Sequence, residues 1–363
     1  MIINKKIKRT MFESKSQYIG SLVLIVFSCL LFTMFNLVSR NLTKLSSSFE
    51  KDYKQEDASF IATPRINNIE GLETKFNMSI EETKSFDYLV SEDKTLRIFS
   101  ENNKVNIPAI IQGKALNSGE ILIDPSYGKA NKLDIGDSIE INDRNFIISG
   151  FMSLPNYIYP LKSESDIMND PSSFGVAVIS KEDFNILNKG NVSYSIRFNG
   201  DRSNIDSKIS EFKDYLRNEN IILISWMNTS DNPRVTYFTA KLSGIDKMSS
   251  SMPIAVLLLT CILTGIVMYR MLKREAVIIG TLYALGYRKN EIMKHYLLYP
   301  IVVSLVGGIL GTLLGLLTLR PMMNYYILFF NIPVGSLTYD ISYIYSKHFT
   351  ANILLSNLQL LCR

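Results

Sequence analysis

The sequence predicts an α-helical membrane protein with an inserted α+β extracytoplasmic domain, three transmembrane helices with helical stalks, and a fourth span missing or incomplete. Three observations predict it. Three apolar runs, near residues 18–39, 252–269 and 296–319, are each about as long as a bilayer crossing needs. The roughly two hundred residues between the first two runs alternate β-rich segments with helical periodicity. Charge is partitioned: the flanks of the runs are basic, and the long middle leans acidic.

The overall charge of +5 hides that partition. Before Tyr18 stand five basic residues and one acid; from Arg270 to His295, six and two; from Arg40 to Ser249, 25 and 30. Short basic flanks on one side and a large acidic domain on the other follow the positive-inside rule. The N-terminus is therefore expected in the cytoplasm and the large domain outside the cell membrane. The same distribution leaves no basic patch for nucleic acid. Cys29 and Cys261 fall inside apolar runs and Cys362 near the end, so the intervening domain has no disulfide framework. Lys, Asn and Ile are abundant, as in chains from AT-rich bacterial genomes.

Residues 1–17 form a basic cytoplasmic N-terminus. Residues 18–39 are the first span: the uncharged stretch Ser16–Ser39 reaches about 36 Å as a helix and exceeds the apolar core of a secretory leader. Residues 40–251 are the extracytoplasmic domain with its stalks. Leu42, Leu45, Phe49 and Tyr53 recur every three or four residues, a stripe that suits an outgoing stalk helix. Strands are expected at Glu120–Ile123, Ser138–Ile141, Phe146–Gly150, Gly175–Ile179, Tyr194–Phe198 and Ile221–Ser225, with a turn at Asn142-Asp143. Ser126–Leu133 is expected to be helical. Asn204–Asn220 reads as an amphipathic helix with Ile205, Ile209, Phe212 and Leu216 on one face. Pro155–Pro160 is a stiff aromatic loop whose tyrosines are expected to be buried.

Residues 252–269 are the second span, 270–295 a cytoplasmic segment and 296–319 the third span. In the cytoplasmic segment Ile278, Ile279, Leu282 and Leu285 fall at i, i+1, i+4 and i+7, which predicts an amphipathic helix at the inner membrane face. Gly286 stands where a left-handed cap would close it, and Arg288-Lys289 open the next helix. Gly307, Gly311 and Gly315 repeat every fourth residue, with Gly308 beside them. Such a strip lets a second helix approach closely in lipid. Residues 320–363 are expected to break at Pro321, Asn324, Asn331 and Pro333 into an outer-face segment and a truncated C-terminus.

The run Ile279-Gly280-Thr281-Leu282-Tyr283-Ala284-Leu285-Gly286-Tyr287, with Glu291-Ile292, Tyr296-Leu297 and the glycine-rich span after it, closely resembles the signature of FtsX-like permease domains, the membrane subunits of MacB-type ABC transporters. Gly119–Ile123, Ala130–Ile139 and Phe146–Phe151 resemble, in order and spacing, the MacB-like periplasmic core domain of the same family. The resemblance implies that Arg274, Glu275, Ile278, Ile279, Gly280, Leu282, Tyr283, Ala284, Leu285 and Gly286 form the helix that couples to a separate ATP-binding subunit. It also implies a second permease copy or repeat. One departure is the insertion of Ala276-Val277-Ile278 between Arg274-Glu275 and Ile279-Gly280, which weakens any specific ionic role for that pair.

There is no phosphate-cradling GxxxxGK[ST] loop, His-Glu-x-x-His motif or nucleophile elbow, and the two histidines, His295 and His348, stand apart. The expectation is a protein that is not an enzyme, with no catalytic residue, metal or cofactor. The resemblance implies that it transmits ATP-driven movement outward for export, extraction or regulation at the cell envelope. The competing reading is a membrane-anchored extracellular ligand receptor without ATPase coupling.

Overall fold

The structure, a computed structural model, describes residues 15–327, 329–333, 335 and 337–339. It divides into two compact units. One contains residues 1–41, 243–323 and 337–363; the other contains 42–242 and 324–336.

The first unit is built on three long helices, α1 (Lys15–Asp52), α6 (Pro233–Arg274) and α8 (Lys289–Ile327), with α7 (Ala276–Ala284) between the last two. The three long helices are of a length and apolarity able to cross a membrane. A helix suits that task because it satisfies its backbone polar groups within itself. Polar side chains tie α1 to α6: Asn36 Nδ2 donates to the carbonyl of Ser249 at 3.2 Å, and Ser39 Oγ donates to Asp246 at 3.0 Å. Contrary to expectation, Pro321 does not break the chain. α8 runs through both Pro300 and Pro321, as membrane helices tolerate when neighbours compensate the lost N–H.

The second unit is α+β. Its strands are β1 (Ala58–Thr63), β2 (Met78–Ser91), β3 (Lys94–Ser100), β4 (Ala109–Gly113), β5 (Glu120–Ile123), β6 (Ser138–Ile141), β7 (Arg144–Ser153), β8 (Phe174–Ile179), β9 (Asn191–Phe198) and β10 (Ile222–Asn228). Its short helices are α2 (Ile69–Phe76), α3 (Pro125–Ala130), α4 (Lys181–Leu187) and α5 (Ile205–Asn218). The sheet order is β10-β1-β9-β2-β3-β8-β5-β7-β4, with β6 paired to β7. β1-α2-β2 and β9-α5-β10 interleave as β10-β1-β9-β2, a split βαβ arrangement, and β3 to β8 form the insertion between them. The first half packs Phe60, Ile80, Tyr194 and Ile196 against Phe212 and Leu216 of α5. The insertion closes its own core around Leu96, Ile121, Tyr127, Ile148 and Phe184.

All six expected strands form, and α5 buries Ile209, Phe212 and Leu216 as its period requires. Asn142 and Asp143 both take positive φ, the two-residue turn that joins β6 to β7. The expected Ser126–Leu133 helix is the shorter α3. Asp124 caps it by accepting from the N–H groups of Ser126 and Tyr127, both at 2.9 Å, with Pro125 at its first position. β1 to β4 were not expected. β2 reads MSIEETKSFDYLVS, and its Glu81, Thr83, Ser85 and Asp87 face away from the α2–α5 core, so no simple apolar alternation marks it.

A third core gathers Phe49 of α1, Val235 and Phe238 of α6, Ile158, Tyr159 and Leu161 of the aromatic loop, and Phe330 and Ile332. Tyr159 stacks on Tyr237 with ring centroids 4.2 Å apart. Leu45 and Tyr53 pack alongside, so the stalk stripe is real and the loop tyrosines are buried. Residues 330–332 after α8 pack on this core, and the N–H of Asn331 donates to Ile158 O at 2.9 Å. The expected irregular tail from Phe349 to Cys362, and His348, lie outside the described residues.

Candidate coupling segment

α6 continues without a break to Arg274, Glu275 turns the chain, and α7 follows at once. Gly286 has φ of +88°, and the N–H of Tyr287 donates to Leu282 O at 3.2 Å while that of Gly286 donates to Tyr283 O at 3.1 Å. That pair of bonds closes a helix on a left-handed residue, the conformation glycine adopts at least cost. Glu291 then reaches back to the N–H of Arg288 at 3.0 Å, capping the start of α8. Both boundaries fall where the sequence placed them.

The side chains divide differently from the expected stripe. Ile279 and Leu282 turn inward against a cluster of Ile25, Cys29, Met271, Ile292, Tyr296 and Val303. Ile278 and Leu285 do not join them; Leu285 is 76% exposed, and so are Val277 at 78% and Tyr283 at 59%. Gly280 and Ala284 are also exposed. α7 is therefore largely apolar around its circumference, with the hydroxyls of Thr281 and Tyr283 its polar side-chain groups, rather than amphipathic. Inward packing consumes one apolar side. The other has no covering within the unit, and water is a poor neighbour for it.

Glu275 also departs from expectation. It is 8% exposed, and its Oε2 accepts from the Tyr296 hydroxyl at 2.6 Å. A carboxylate so placed braces the turn from within, whereas Arg274 stays exposed. No sequence signal links residues 275 and 296: they stand on different helices, and nothing periodic joins them. Val277, outside the expected set, is the most exposed of the large apolar residues in this segment.

The glycine strip lies against α1. A Cβ built on Gly307 would stand 2.7 Å from Ile25 Cγ2, and one on Gly315 2.6 Å from Thr33 Cβ. At Gly311 it would meet the backbone carbonyl of Val26 and stand 2.6 Å from Cys29 Cβ. Gly308 has open space around it, so three of the four glycines share the seam.

Residues 250–354 match the sequence model of the FtsX-like permease C-terminal domain. No curated protein matches the chain. Among solved structures, the periplasmic region of MacB from Actinobacillus actinomycetemcomitans aligns with 13% identity, covering 54% of this chain and 82% of that one. Its TM-score of 0.27 is too low for the superposition to add weight to the assignment. The resemblance carried by Ile279 to Gly315 falls within the residues that match the FtsX-like permease C-terminal model.

Proposed function

We propose that the protein is the permease subunit of an ABC transporter, embedded in the cell membrane with residues 270–295 on the cytoplasmic side. A separate ATP-binding subunit docks on α7, and two permease copies or repeats assemble around it. ATP-driven closure of the ATPase shifts α7, and the movement passes along α1, α6 and α8 to the extracytoplasmic domain. Such a step biases a bistable assembly and needs no chemistry in this chain. The load is exported, extracted or regulated at the envelope. The proposed partition places the N-terminus inside, as the basic flanks require.

The observation that carries this reading is the uncovered apolar side of α7, Val277, Tyr283 and Leu285, inside the permease-matched stretch. The docking residues within the expected set are then Arg274, Ile278, Tyr283, Ala284 and Leu285, joined by Val277. Ile279, Leu282 and Glu275 hold the segment in place, and Gly307, Gly311 and Gly315 hold α8 to α1. The test is co-purification from solubilised membranes. An ATPase is expected with the intact chain and not with a Val277→Asp/Leu285→Asp variant that inserts normally. An ATPase retained by that variant would overturn the docking role. No specific observation favours the receptor reading.

A further inference from the structure

The α+β unit contains a cavity of about 600 Å³ on the face of the sheet opposite α2 and α5. Its floor is the polar side of strands whose other side is core: Ser59, Thr83, Ser193 and Ser195 alternate with buried Phe60, Tyr194 and Ile196. Its size lies in the range of small-molecule sites. Among its lining residues the ionisable groups are Glu56, Asp87, Arg97, Tyr157, Glu164 and Arg234.

Both arginines are committed. Arg97 grips Asp87 with two bonds, 2.7 and 2.8 Å, and donates to the Tyr157 hydroxyl at 2.9 Å. Arg234 donates to Leu161 O and Lys162 O, stands 3.5 Å from Glu164, and covers the Tyr157 ring at 4.8 Å. Glu56 is different. It is 3% exposed and forms no ion pair among the described residues. Its Oε2 accepts from Asn106 Nδ2 at 2.7 Å and Ser195 Oγ at 2.6 Å, and the Asn156 and Ser59 side chains also hydrogen-bond the carboxyl, so every donor it meets is neutral. Burial raises its pKa. Beside it on the wall, Asn156 Oδ1 is buried with no donor. A buried carboxyl without a cation and a buried acceptor without a donor are both costly, and one compact multi-donor cation relieves both.

We propose that this cavity binds a primary ammonium group, held between the Glu56 carboxylate and Asn156 Oδ1, with the rest of the ligand lying on the serine-lined floor. An anionic ligand has no free guanidinium to meet there. Glu56 follows α1 by four residues, and Asn232 and Arg234, also on the wall, open α6.

The full chain in detergent micelles is titrated calorimetrically with cadaverine, with acetyl-Gly-Lys-Gly-amide and with pentanediol. One or both amines should bind and the diol should not; the tighter amine identifies a free amine or a peptide lysine as the source. Glu56→Gln and Asn156→Ala should each weaken amine binding by about tenfold or more, the scale of a lost charge-assisted bond. Below the raised pKa, binding expels the Glu56 proton, so the heat should change with the ionisation enthalpy of the buffer. Should Glu56→Gln misfold, the half-buried Asn156 position decides alone. Absence of amine binding, equal binding of the diol, or an affinity unchanged in the folded variants would each overturn the proposal.

Discussion

The two units of the molecule bury apolar surface by opposite rules. In the α+β unit Phe60, Tyr194 and Phe212 are sealed inside, and serines, lysines and acids face out. In the helical unit Ile254, Leu258, Ile262, Leu313 and Leu317 face outward, while glycines of α8 let it lie directly against Ile25, Cys29 and Thr33 of α1. Water drives large apolar groups together in the first. Lipid gives no such drive in the second, so helices gain by close backbone approach. α7 fits neither rule. It lies outside the three candidate spans and still presents Val277 and Leu285. That mismatch is what makes it a docking surface in the proposed function.

Substitutions break or sharpen this contrast in order of size. Phe212→Ala empties the centre of the α5 core and should destabilise the α+β unit by about 3–5 kcal/mol, read as a lowered thermal midpoint of its unfolding. A shift no larger than that of an exposed residue would contradict the packing. Gly311→Leu drives a side chain into the Val26 carbonyl and should weaken the α1–α8 contact by about 1–3 kcal/mol. The check is loss of a disulfide crosslink between cysteines placed on the two helices; the same change at Gly308, which faces open space, should leave the crosslink intact. Tyr296→Phe removes the donor to Glu275 and leaves a buried carboxylate short of a partner, a loss of about 1–3 kcal/mol. Faster proteolysis between Arg274 and Arg288 would report it. Leu285→Asp should alter stability by less than about 0.5 kcal/mol, because the side chain touches little within the unit. A large loss of stability there would mean that Leu285 is packed against its own chain.

Much of the architecture was legible in local pattern. The apolar runs, the Asn142-Asp143 turn, the α5 periodicity and the Gly286 cap each need only a few neighbouring residues. The candidate site was legible in part. Its boundaries follow from glycine and charge, but its faces do not, since α7 is largely apolar all round and periodicity has nothing to select. Pro321 misled because proline is read as a breaker in water, while a long apolar helix of membrane-crossing type tolerates it.

By itself the sequence determined the three long apolar helices among the described residues, the charge partition and the resemblance of residues 250–354 to the FtsX-like permease C-terminal domain, because these are written in length, composition and contiguous motif. The tertiary structure alone decided that Glu275 turns inward to Tyr296, that β2 is a strand despite its charges, and that Glu56, Asn106 and Ser195 meet. Each is a contact between residues distant along the chain, settled by which surfaces are covered when the strands and helices close, and no local period encodes it.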